Sequence, residues 1–176
     1  MPNIKSVINS HNKKILSPTQ QPDERTCNCI RKEECPLNQN CQISNVVYEA
    51  TLTSNLPEYG EKKYIGLCES TFKKRFAGHK TSFTRVAYRN RTTLSAEVWR
   101  IKDRGGTHDI TWRVIRKSKA YSPESGRCAL CEAEKFEIVN FPGKNLLNKR
   151  SEIMAKCRHR RKFELSLFSY EKIDVT

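Results

Sequence analysis

Residues 64–79 read YIGLCESTFKKRFAGH and carry a tyrosine, an arginine and a histidine at spacings suited to phosphodiester cleavage. Tyr64 opens a Tyr-Ile-Gly run at the end of an expected strand. Arg75 and His79 follow on a basic helix, one turn apart. A phenol can handle a proton, and a guanidinium can brace a phosphate through two N–H bonds. A free phenol titrates near pH ~10, so a tyrosine base needs a cation or a metal to lower that value, and Arg75 is the cation at hand. His79 reads as a phosphate contact or a proton-transfer group. Lys73 and Lys74 beside Arg75, and Lys149 further on, are solvated charges or phosphate contacts.

The eight cysteines offer a second chemistry. Cys27, Cys29, Cys35 and Cys41 form a C-x-C-x5-C-x5-C loop able to wrap one tetrahedral zinc, with a pair of disulfides as the alternative. Cys128 and Cys131 lie one helical turn apart, and Cys157-x-His159 follows, offering three sulfurs and an imidazole. His108 or His79 could replace His159 there, and buried unliganded cysteines are the plainer reading. Four protein ligands would make either zinc structural. Cys68 is left over as a small buried hydrophobe.

These side chains must be positioned by a modest core. The chain has 176 residues, of which 36% are apolar and 30% charged, with 33 Lys and Arg against 19 Asp and Glu and a formal charge of +14. Such an excess seeks a polyanion, nucleic acid first and an anionic membrane surface second. No apolar run is long enough to span a bilayer, and the first residues lack the apolar stretch of a signal peptide. A soluble intracellular protein with nucleic acid as partner is expected.

Residues 1–26 read as a flexible polar arm and 27–44 as the cysteine loop. NVVYEATLT alternates Val46, Tyr48, Ala50 and Leu52 on one face of a strand. KKYIGLC is its hairpin partner across a long turn. Ser70 is the expected N-cap of the next helix, with Phe72, Phe76 and Phe83 as its buried stripe. A second helix presents Leu94, Val98 and Ile101 and ends at Gly105-Gly106. HDITWRVIRKS is a third strand. Helices over 124–141 and 145–159 follow. The expected class is α+β, a small three-stranded antiparallel sheet flanked by helices, with an N-terminal zinc-binding loop. The main domain spans 45–163, and 164–176 form a tail. Lys13, Lys14, Lys144, Arg158, Arg160, Arg161 and Lys162 are further phosphate-contact candidates.

Tyr64-Ile65-Gly66, the Arg75-x3-His79 helix, Glu134 on the later helix and Asn148 in LLNKRSE together resemble the GIY-YIG nuclease family. The first family motif is degenerate here, ending in Tyr48 of NVVY. CNC-(x5)-CPLNQNC, RCALCEAEK and LLNKRSEIMAKCRH look more closely like the endonuclease domain of Penelope-like retroelements, over residues 27–163. The resemblance implies a GIY-YIG-type DNA endonuclease, expected to nick and to leave a 3′-hydroxyl for target-primed reverse transcription in the nucleus. It implies Tyr48 as the residue that helps deprotonate water, with Tyr64 on the phosphate or relaying the proton. It implies Gly66 in substrate binding and Asn148 in support. Arg75 would stabilise the pentavalent phosphorane. Glu134 would hold one Mg²⁺ or Mn²⁺. Glu132 is the second choice, and Glu137 shares their helix. The reverse transcriptase would belong to a longer polyprotein, from which this chain is an excised domain, or the chain is a stand-alone relative. Two other readings stand beside this one: a non-catalytic zinc-containing nucleic-acid-binding module, and a repair-type nuclease acting on distorted DNA.

Overall fold

The computed structural model describes residues 26–121, 126–157 and 159. Residues 1–25 of the proposed arm, the tail and the cations Lys13, Lys14, Arg158, Arg160, Arg161 and Lys162 lie outside the described residues. Three strands, β1 (Val46–Ser54), β2 (Lys62–Cys68) and β3 (His108–Lys117), form one antiparallel sheet in the order β2-β1-β3. Helices α1 (Phe72–Thr84) and α2 (Thr93–Asp103) lie between β2 and β3, and α3 (Ala129–Val139) and the short α4 (Arg150–Met154) follow. This is the α+β class expected. Among the described residues no helix is long and apolar enough to cross a membrane.

The alternation of β1 determines the layers. Val46, Tyr48, Ala50 and Leu52 face α1 and α2, where they meet Phe72, Phe83, Leu94, Val98 and Ile101. Val47 faces the other way and joins Ile65, Leu130 and Ile138 under α3. β1 is therefore central and buried on both faces. Glu49, also on that second face and only 4% exposed, is held by Arg113 at 2.8 and 2.9 Å and by Lys63 at 3.4 Å. A buried carboxylate without such partners would be costly. The β1–β3 register shifts between Val47 and Tyr48, whose partners are Arg116 and Val114. The extra residue, Ile115, packs in the α3 cluster, and Arg116 reaches Glu137 on α3 at 2.6 Å. A bulge of this kind re-aims side chains at a sheet edge.

Three local expectations need correction. The residue preceding α1 is Thr71, not Ser70, and its side chain makes no capping bond. The first amides of α1 donate instead to the cysteine loop, Phe72 N to Ile43 O and Lys73 N to Cys41 O, both at 2.8 Å. The third helix starts at Ala129, after Gly126 with φ +61°, rather than near 124. The last helix is confined to Arg150–Met154. The residues before it are extended because Asn145 O and Leu147 N bond to Lys63 N and O at 2.9 and 2.7 Å, extending the outer edge of β2. Edge pairing there satisfies backbone groups that a helix would have left facing an open strand.

Candidate active site

The β1–β2 register places Tyr48 opposite Gly66, and Ala50 opposite Tyr64. A side chain at position 66 would put its Cβ 2.6 Å from the Tyr48 hydroxyl and 2.9 Å from the Tyr64 ring. Gly66 thus makes room for the two phenols, and this packing role is what its surroundings assign to it. From α1, Arg75 and His79 converge on the Tyr48 hydroxyl. Arg75 Nε donates to it at 2.8 Å, and His79 Nε2 lies 2.7 Å away. An arginine N–H can only donate, so the phenol oxygen accepts there and its own hydrogen is directed to His79 Nε2. His79 can accept because burial, aided by the Arg75 charge, pushes its imidazole down to about 3 and keeps it neutral.

The direction expected for the Tyr48 phenol is reversed. Its side chain is fully buried, and burial outweighs the attraction of Arg75, pushing the group up to about 12. Burial also raises Tyr64 well above the usual tyrosine range, with the neighbouring Tyr48 adding to it. Tyr64 differs in its position, because it lines an open cleft of about 310 Å³ together with Arg75, Glu134 and Asn148.

Glu134 enters this cleft from α3. Burial pushes its carboxyl up to about 7 against the pull of Arg75, and the charge of Glu152 adds to the rise. Asn148 latches β2. Its Oδ1 accepts from Ile65 N, and its Nδ2 donates to Ile65 O and to Glu152 Oε2, all at 2.8 Å. Asn148 therefore holds the strand on which Tyr64 and Gly66 stand.

The remaining assigned residues lie elsewhere. Lys73 Nζ is engaged by Asn28, at 2.7 Å to Oδ1 and 3.1 Å to the carbonyl. Lys74 is exposed on α1, and Lys149 is exposed at the start of α4; neither lines the cleft. Glu132 is exposed and outside the lining, and Glu137 is taken by Arg116. Sequence reasoning missed Glu152 and Arg91, which both line the cleft. Glu152 accepts from Asn148 and from Lys149 N, and Thr93 Oγ1 lies 3.3 Å from it. The only local signal for it is an acidic residue three places into a short helix. The only signal for Arg91 is its position just before the Thr92–Ser95 capping box of α2.

The cysteines gather as two clusters, Cys27/Cys29/Cys35/Cys41 and Cys128/Cys131/Cys157/His159, each with its ligand atoms within 4.8 Å of one another. All eight cysteines are free of disulfides. In the first cluster Cys41 Sγ lies 3.6 Å from the sulfurs of both Cys27 and Cys29. Four sulfurs at ~2.3 Å from a zinc stand ~3.8 Å apart in a tetrahedron, so the donor set fits a structural zinc. In the second, His159 Nδ1 lies 3.3, 3.2 and 3.7 Å from the sulfurs of Cys128, Cys131 and Cys157. Its other nitrogen, Nε2, lies 3.7 Å from Glu69 Oε2, the usual place of a carboxylate that orients a metal-bound imidazole. Neither His108 nor His79 belongs to this cluster. Cys131, one helical turn before Glu134, and His159 also line the cleft. Comparison of the chain with protein-family models, curated proteins and solved structures finds no match.

Proposed function

We propose that this protein is a divalent-metal-dependent DNA endonuclease of the GIY-YIG type, similar to the endonuclease domain of Penelope-like retroelements. The observation that carries the reading is the convergence of Tyr64, Arg75, Glu134 and Asn148, drawn from four separate stretches of chain, on one cleft. The formal charge of +14 suits a polyanionic substrate. The half-buried Glu134 carboxyl, raised to about 7, is a hard oxygen ligand that a cation would return to its ionised form. A single Mg²⁺ or Mn²⁺ on Glu134, with waters and phosphate as its other ligands, would supply Lewis acidity at the phosphate.

Water attacks phosphorus in line, the bond to the 3′ oxygen breaks, and the products are a 5′-phosphate and a 3′-hydroxyl. Arg75 donates toward the charge that builds on the non-bridging oxygens. Its Nε is fixed by Tyr48, and its terminal nitrogens remain for the phosphate. Tyr48 positions Arg75, His79 fixes the Tyr48 proton, and Tyr64 is the phenol that meets the attacking water or the phosphate. The two cysteine clusters hold structural zinc. A nick with a free 3′-hydroxyl suits target-primed reverse transcription by a polymerase domain in a longer polyprotein, in the nucleus.

A second reading, a non-catalytic zinc-containing nucleic-acid binder, is favoured by one fact: Tyr48 is fully buried with its hydroxyl already engaged on two sides. Relaxation of supercoiled plasmid separates the two. The wild type nicks in Mg²⁺, while Arg75→Ala and Glu134→Gln lose at least ~100-fold in rate. A wild type that binds plasmid but relaxes none in Mg²⁺ or Mn²⁺ supports the binder and refutes the enzyme.

A further inference from the structure

A second cleft of about 200 Å³ adjoins the first and shares Arg75, Arg91 and Thr92 with it. Its character differs. The first cleft contains Glu134 and Glu152; the second is lined by Lys74, Arg75 and Arg91 and by no carboxylate. Buried His79 and Ser82 are among its remaining lining residues. The Arg91 guanidinium rests 5.8 Å from the centre of the Tyr88 ring, which props it at the junction of the two clefts.

The backbone supplies an independent observation. Gly78 lines this cleft from the interior of α1, and a Cβ built there meets nothing within 4 Å. Glycine weakens a helix interior, and no neighbour requires it here. Its absent side chain instead leaves the helix backbone open to close approach by a ligand.

We infer that this second cleft seats the backbone phosphate next to the scissile one, with Lys74 and Arg91 as its cations and Gly78 as the space that admits it. The inference rests on the endonuclease reading for the word scissile, and on its own residues for the binding of phosphate. A strand passing through two contiguous clefts presents a phosphate to each. Arg75 and Arg91 border both, so they would hold the strand in register while the carboxylates act on one linkage only.

The test is the salt dependence of binding to a fluorescein-labelled DNA duplex, with Ca²⁺ replacing Mg²⁺, on the full chain. Lys74→Gln and Arg91→Gln should each lower the slope of log K against log salt by about one. Gly78→Gln, which adds bulk without charge and improves helix propensity, should weaken binding about five- to tenfold at low salt while its melting temperature holds or rises. Lys117→Gln, which lines neither cleft, should do neither. Slopes unmoved in both cation variants, an equal slope change in Lys117→Gln, or wild-type affinity in Gly78→Gln would each overturn the inference. Plasmid nicking by the same preparations separates the two readings. A wild type that shows these slopes but never nicks removes the endonuclease and leaves a phosphate site. One that nicks normally with unmoved slopes removes the site and leaves the endonuclease.

Discussion

Replacing His79 by glutamine removes a buried imidazole whose ionisation the fold opposes. His79 is 3% exposed, and burial together with the Arg75 charge pushes it from 6.5 to about 3. Between those values the unfolded chain holds a proton that the folded chain refuses, so stability rises with pH across the window and is lost as pH falls from 6.5 toward 3. Lowering the pH from about 7.5 to about 5.5 protonates most of the unfolded imidazole and almost none of the folded one, which costs ~1.4 kcal/mol. Glutamine does not titrate, yet its amide oxygen can still accept from the Tyr48 hydroxyl. Urea unfolding at the two pH values gives the answer as a difference between proteins, in which carboxylates such as Glu49, held low by Arg113, cancel. The wild type should lose ~1.4 kcal/mol more than His79→Gln over this interval. Equal losses in the two proteins would show that the imidazole is not buried neutral against Tyr48, and the hydrogen-bond directions assigned to the Tyr48 hydroxyl would fall with it.

Asn148→Ala should cost ~1–3 kcal/mol by leaving the Ile65 amide and carbonyl without partners, read as faster hydrogen exchange at Ile65; unchanged exchange would remove the latch. Gly66→Ala, whose Cβ would lie 2.6 Å from the Tyr48 hydroxyl, should destabilise by ~1–3 kcal/mol in urea, and a wild-type midpoint would contradict the packing role. Cys29→Ser and Cys131→Ser should each lower zinc content from two ions per chain to one. The Cys131 variant should also lose more nicking, because Cys131 lines the cleft; full zinc content in either variant would count against its cluster.

What the sequence made legible were features carried by short-range period. The alternation Val46, Tyr48, Ala50, Leu52 marked a strand and the face it turns to α1 and α2, and these four side chains are all within the core; the burial of Val47 and Glu49 on the opposite face, which makes β1 buried on both sides rather than half-buried, was not legible. The spacing of Leu94, Val98 and Ile101 likewise marked the inner face of α2. Cys27, Cys29, Cys35 and Cys41 were close enough in the chain to meet whatever the fold. The features that were not legible depend on partners far away in sequence. LLNK looks helical, but Lys63, more than eighty residues earlier, offers it a strand edge. Arg91 and Glu152 carry no distinguishing neighbours and reach the cleft only because α2 and α4 converge there. Ser70 is a good N-cap by residue type, and it is bypassed because carbonyls of the cysteine loop already serve the first amides of α1.

The contacts between the cysteine loop and α1 help so small a core hold such a cleft. The wall bearing Arg75 and His79 is α1, and its first amides donate to the carbonyls of Ile43 and of Cys41, a member of the first cysteine cluster, while Lys73 ties the same turn to Asn28. The wall bearing Glu134 is α3, with Cys128 preceding its first residue and Cys131 one turn before Glu134. Cys157 and His159 follow α4, which carries Glu152, and His159 leans toward Glu69 at the β2–α1 junction. Each wall is thus clipped by its own set of four ligand atoms, and neither clip shares a residue with the other. Side-chain packing alone would position α4 poorly, since it is only five residues long with none of them buried. A metal held at Cys157 and His159 would supply the constraint that apolar burial does not. The clips should therefore fail differently: opening the first loosens the guanidinium from Tyr48, whereas opening the second separates the carboxylates from it.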